Sequence, residues 1–150
     1  MPAYQTIVVG TDGSDSSFRA VDRAATIAAD AGATLVIASA YHPARPEDVA
    51  RMQDQLGSDA AYQVVGSAPA EDAVRTAAER ARVAGATKID TVVVDGEPVP
   101  TLNRVVQEHA ADLLVVGNRG LNTLAGRILG SVPSEAARRS GIDVLIVHTT

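Results

Sequence analysis

The chain has 150 residues, of which 46% are hydrophobic and 21% charged, the balance of a globular α/β protein long enough for one domain, residues 1–150, with a sizeable core. Aromatic residues are only 3% and the net charge is −5, which argues against a base-stacking platform and against a broad phosphate-backbone surface, so no nucleic-acid partner is expected. The absence of cysteine excludes disulfides, thiol catalysis and thiolate metal sites. No apolar run approaches the roughly 20 residues that span a bilayer. Met1-Pro2-Ala3-Tyr4-Gln5 has neither the basic nor the apolar region of a signal peptide. A soluble cytoplasmic protein with no membrane partner is the expectation.

Thr6 to Thr11 reads as a buried strand ended by Asp12-Gly13. Ser14 or Asp15 can cap the next helix, whose apolar stripe is Phe18, Val21, Ala25 and Ala28. Gly32 ends that helix, and Thr34 to Ala40 is the second strand. Tyr41 to Ala68, with Pro43, Pro46, Gly57 and Gly66, is the least regular region and is expected to be a surface excursion. Pro69 sits at a helix start, Glu71 to Ala84 is a strong helical pattern, and Gly85 stops it. Ile89 to Val94 is the third strand, and Pro98 to Ala110 is a helix with Leu102, Val105 and Val106 on its apolar face. Leu113 to Val116 is the fourth strand, Val132 to Ser140 the fourth helix, and Val144 to Val147 the last strand. This alternation argues for a doubly wound α/β fold, a five-stranded parallel sheet with helices on both faces.

The stretch from Leu113 to Val132 stands out. Gly117, two residues, Gly120, nine residues, Gly130 and Ser131 lie between the fourth strand and the fourth helix. About fourteen residues make this connection, where such units ordinarily use roughly 2–6. Strand, glycine-spaced loop and helix start form an arrangement that binds phosphate. Glycines let the backbone approach closely, and the N–H groups of the helix start point at the anion. Arg119 and Arg127 add cationic donors. The same residues also read as a surface loop with incidental glycines.

The spacing Gly117-x2-Gly120-x9-Gly130-Ser131 is similar, without a gap, to the ATP-binding signature of the universal stress protein family. The resemblance covers nearly the whole chain and includes Ile7-Val8-Val9-Gly10-Thr11-Asp12-Gly13-Ser14 and Asp143-Val144-Leu145-Ile146-Val147. It implies the strand order 3-2-1-4-5, which reverses direction between strands 1 and 4. Ligands of open α/β sheets bind outside the carboxyl ends of the strands at such a reversal. The loops there are Gly10 to Ser14 and Gly117 to Ser131, the two that bear the glycines.

On this resemblance Asp12 contacts the nucleotide, and its carboxylate suits ribose hydroxyls or the adenine amino group. It also reads as an ordinary turn residue, since Asp-Gly is a common turn pair. Gly10 would let the backbone pass close to the ligand, and Thr11 beside it is a further nucleotide-binding candidate. The backbones of Ser39 and Ala40 could pair with the adenine edge, or these small residues could simply pack. Gly117, Asn118, Arg119, Gly120, Arg127, Gly130, Ser131 and the N–H of Val132 would hold the phosphates. Ser131 is also a plausible helix cap, and Arg127 equally a solvated surface residue.

Rival motifs are rejected. A P-loop needs Gly-Lys-Ser/Thr, and the one lysine, Lys88, precedes strand 3. The dinucleotide fingerprint G-x-G-x-x-G is missing after strand 1, and Ser39-Ala40-Tyr41-His42 offers no acid for a ribose hydroxyl. His42, His109 and His148 form no zinc-like pair. The chain therefore resembles a single-domain universal stress protein of the ATP-binding branch. It reads as an adenine-nucleotide-binding stress-response or signalling module, with AMP or cyclic AMP as alternatives to ATP. Weak nucleotide hydrolysis is the alternative from another class, though no general base can be named near the glycine loop and no catalytic residue is assigned. Mg or Mn could be held through the phosphates, without a dedicated protein site. Val144 to Val147 is apolar and unguarded at the sheet edge that the family order implies, so a homodimer through that strand is expected.

Overall fold

The computed structural model describes residues 2–42, 67–119 and 131–149, with 131–133 described in backbone only. Most of the Tyr41 to Ala68 excursion, together with Gly120, Arg127 and Gly130, lies outside these residues.

Among the described residues, five strands, β1 (Thr6–Gly10), β2 (Thr34–Tyr41), β3 (Lys88–Asp95), β4 (Leu113–Gly117) and β5 (Asp143–Val147), alternate with four helices. The helices are α1 (Asp15–Ala31), α2 (Ala68–Val83), α3 (Pro98–Glu108) and α4 (Ser131–Arg139). All pairings are parallel and the order is β3-β2-β1-β4-β5, as the resemblance implies. Successive side chains of a strand face opposite sides, so each strand feeds two cores. Ile7, Val9, Leu35, Ile37, Leu113 and Val115 pack with α1 and α2 on one face. Val8, Val36, Ala38, Leu114 and Val116 pack with α3, and with Ala136 of α4, on the other. Burying each Val, Leu or Ile contributes about 1.5–3 kcal/mol, and among the described residues Phe18 is the one buried aromatic, with the partly buried Tyr4 packed against its core.

α1 begins because Ser14 is extended and its side chain accepts the N–H of Ser17 at 3.1 Å. It ends at Gly32, whose φ of 65° suits a residue without Cβ. At the same end of the sheet as Gly32, the Asp112 carboxylate accepts the N–H groups of Gln5 and Thr6 at 3.0 and 3.1 Å, fixing the entry of β1 beside β4. The Tyr4 hydroxyl donates to Asp143 at 2.9 Å, tying that entry to the start of β5.

β3 differs from the expectation of strands buried on both faces. It is the outer strand, with Lys88, Asp90, Thr91 and Asp95 exposed and its valines only half-buried. It runs the full length of β2, from Thr34↔Lys88 to Tyr41↔Asp95, so pairing and not hydrophobicity sets its extent.

Candidate functional site

The sheet reverses direction between β1 and β4, and there the two strands part. Their pairing covers only Ile7↔Leu113, Val8↔Leu114 and Val9↔Val115. β1 stays with β2 as far as Gly10↔Ala38, while β4 follows β5 to Gly117↔Val147. The chain leaves β1 for α1 on one face of the sheet and leaves β4 towards α4 on the other. A crevice at such a divergence is where ligands of open α/β sheets bind. The backbones of Gly10 and Gly117 border it, one from each strand.

The loop after β1 is built from its own side chains. Thr11 is 1% exposed, and its hydroxyl lies 2.7 Å from that of Ser17 and accepts the N–H of Gly13 at 3.1 Å. Its own N–H donates to Ala38 at 2.9 Å and adds a rung between β1 and β2. The Thr11 side chain therefore holds the turn, and its backbone N–H is spent on β2. Gly13 completes the turn at φ +85°, where a Cβ would also press on Ala73 at 3.3 Å. Asp12 is exposed, and its Oδ1 accepts the N–H of Ser14 at 2.9 Å. The expected turn role of Asp12 is thus real, and it leaves the exposed carboxylate at the mouth of the crevice.

Alternation along β2 separates Ser39 from Ala40. Ala38 accepts from Thr11 on the β1 side, and Tyr41 accepts the N–H of Gly96 at 2.8 Å on the β3 side. Ala40 shares the direction of Ala38, so its N–H and C=O face the β1 side just past the end of β1. Ser39 shares the direction of Tyr41, so its backbone is engaged with β3, and its side chain is buried. Of the two backbones expected to meet a base, only that of Ala40 faces the β1 side, while that of Ser39 faces β3.

Beyond β4, Asn118 donates its N–H to Val147 at 2.8 Å. Its side-chain oxygen accepts both the N–H and the hydroxyl of Thr149, each at 2.8 Å. Thr149 is 3% exposed, its hydroxyl is 2.6 Å from that of Ser16, and its carbonyl accepts from Arg19. A Cβ on Gly117 would lie 3.4 Å from Cγ2 of Thr149 and 3.9 Å from the carbonyl of Ser16. Arg119 is exposed, and Ser131 opens α4. Sequence reasoning missed Ser16, Ser17, Arg19 and Thr149. Nothing local marks them, because their partners are distant in the chain. Among the described residues no cluster of His, Asp and Glu is suited to hold a metal ion, and no helix is long and apolar enough to cross a membrane.

The universal stress protein family model matches residues 3–148. Universal stress protein Rv1636 of Mycobacterium tuberculosis H37Rv is 57% identical over 150 residues, all of both chains. A universal stress protein whose crystal structure is in complex with cAMP superposes with a TM-score of 0.76 at 53% identity, covering 99% of each chain. Universal stress protein UspA from Lactobacillus plantarum superposes with a TM-score of 0.75 at 24% identity, over 97% of this chain and 98% of its own, a likeness of fold.

Proposed function

The chain belongs to the universal stress protein family, and from that membership we propose that it binds an adenine nucleotide in the crevice between β1 and β4. The observation that carries this reading is the parting of the two strands after Val9↔Val115, with Gly10 and Gly117 at its edges. The base lies against the β2 end, where the N–H and C=O of Ala40 form one donor and one acceptor, the pair that an adenine edge complements. The Asp12 carboxylate takes ribose hydroxyls. The phosphates lie towards Gly117 and Asn118, followed in sequence by Arg119, Gly120, Arg127, Gly130, Ser131 and the N–H of Val132.

The relative in complex with cAMP, at 53% identity, favours cyclic AMP as the first ligand to test. The glycine spacing favours ATP as the second, with Mg or Mn carried on its phosphates. The role is binding, as a sensor or buffer in a single-domain stress-response module. Hydrolysis would need an activated water and stabilised transition-state charge, and Asp12, spent on the turn and the ribose, is a poor base for it.

Calorimetric titration with cyclic AMP, ATP, ADP, AMP and GTP side by side tests the reading. Adenine nucleotides are expected to bind and GTP to bind at least tenfold more weakly, about 1.4 kcal/mol. Equal affinity for GTP would remove Ala40 as the base reader, and no binding of any nucleotide would overturn the function. The subunits are proposed to pair as a homodimer through β5.

A further inference from the structure

We propose that Thr149, two residues past β5, is a positioning residue that sets where the phosphate end of the crevice lies. This rests on the adenine-nucleotide reading and deepens it.

The hydrogen atoms of the cluster can be assigned. The N–H of Thr149 can only donate, so the Asn118 atom that it meets at 2.8 Å is an acceptor, the side-chain oxygen. The Thr149 hydroxyl, 2.8 Å from that same oxygen, must spend its one proton there. In the 2.6 Å contact with Ser16 the Thr149 oxygen is therefore the acceptor and Ser16 donates. The Thr149 carbonyl accepts from Arg19. One buried residue thus joins three elements. Asn118 belongs to the segment leaving β4, Ser16 and Arg19 belong to the first two turns of α1, and Thr149 follows directly from β5.

The consequence falls on the crevice. β4 has already left β1 after Val115, so the β1 ladder does not hold Gly117 and Asn118 in place. From the other side they are held by the Gly117↔Val147 pairing, by the N–H of Asn118 on Val147 and by the two bonds that Thr149 makes to the Asn118 side chain. Gly117 has no side chain to hold Thr149 away, and its Cβ position is already 3.4 Å from the Thr149 methyl. The base end of the crevice makes no direct hydrogen bond to Thr149. Ala40 is placed by its pairing with β3, and the Asp12 carboxylate by the N–H of Ser14, so neither is bonded to Thr149. Loosening Thr149 therefore shifts Gly117 and Asn118 at the phosphate end and leaves Ala40 at the adenosine end.

The test is Thr149→Val, which keeps the shape and deletes both hydroxyl bonds, titrated with cyclic AMP, AMP and adenosine beside the wild type. Affinity for cyclic AMP and AMP is expected to fall about fivefold or more, with adenosine unchanged within about twofold. Thr149→Ser, which restores the hydroxyl, returns the phosphate-bearing ligands to near wild-type affinity. An equal loss for all three ligands shows a merely structural role and overturns the inference, as does unchanged affinity for cyclic AMP. If Thr149→Val does not fold, Ser16→Ala removes one of the same bonds and is expected to give the same split at about twofold to threefold. Wild-type protein that binds none of the three overturns the nucleotide reading itself and this inference with it. Normal wild-type binding with no split in the variants overturns the inference alone.

Discussion

Gly117 illustrates how the meaning of one residue changes between sequence and structure. In the sequence it opens a glycine spacing, and the simplest explanation is that a side chain would occupy phosphate space. Its missing Cβ instead faces Thr149, at ordinary contact distance, and its φ is not in the left-handed range. Gly117→Ala is therefore expected to fold normally and to weaken nucleotide binding by less than about threefold. Gly130→Ala, just before the α4 start whose N–H groups are proposed to hold the phosphates, should cost tenfold or more, about 1.4 kcal/mol. Titration of the two variants decides this, and a larger loss at Gly117 would restore the steric explanation. Thr11 is a parallel case. It belongs to the same motif as Asp12, yet its hydroxyl is turned inward onto Ser17 and Gly13.

At the scale of elements, much was legible because the residues follow simple periods. Ile7 to Val9, Leu35 to Ala38 and Leu113 to Val116 are unbroken apolar runs, and all are buried, as strands covered on both faces must be. Phe18, Val21, Ala25 and Ala28 fall on one stripe of α1 and are buried together. The Ser14 cap was also legible, since Ser14 or Asp15 stands just before the stripe. Ser14→Ala removes the acceptor of the Ser17 N–H and is expected to cost about 1 kcal/mol, lowering the melting temperature by about 3 °C. An unchanged thermal transition would mean that the neighbouring bonds of Thr11 and Ser17 already hold the turn. What could not be read was set by contacts between distant parts of the chain. The exposure of β3 follows from its place at the sheet edge, which the strand order and its charged Lys88, Asp90 and Asp95 carry and its apolar residues do not. The Ser16–Thr149 contact spans 133 positions and leaves no local pattern. The choice between Ser39 and Ala40 depends on register, because a strand alternates its backbone direction residue by residue.

For the whole molecule, the two edges of the sheet are treated unequally. β3 carries Lys88, Asp90 and Asp95, exposed charges that discourage pairing with another strand. β5 has one charge, Asp143 at its start, followed by Val144, Leu145, Ile146 and Val147. Ile146 is 44% exposed, and with Val83 it is one of two large exposed apolar residues among those described. Val147 directs its carbonyl to Asn118, so by alternation Val144 and Ile146 direct their N–H and C=O away from β4, to the free edge. Thr149 turns inward to Asn118, Ser16 and Arg19 and does not cover that edge. A second copy of β5 related by a two-fold axis would satisfy these groups and close the assembly at two subunits. This geometry selects the variant. Ile146→Pro deletes an N–H that points outward, so no bond to β4 is lost, whereas Leu145→Lys would disturb the core against which Leu145 packs. Light scattering at micromolar concentration is expected to give the wild type twice its 15.4 kDa chain mass, and Ile146→Pro the mass of one chain with an unchanged circular dichroism spectrum. A wild-type mass of one chain would refute the dimer. A dimer that survives both Ile146→Pro and Ile146→Lys would place the interface on another surface.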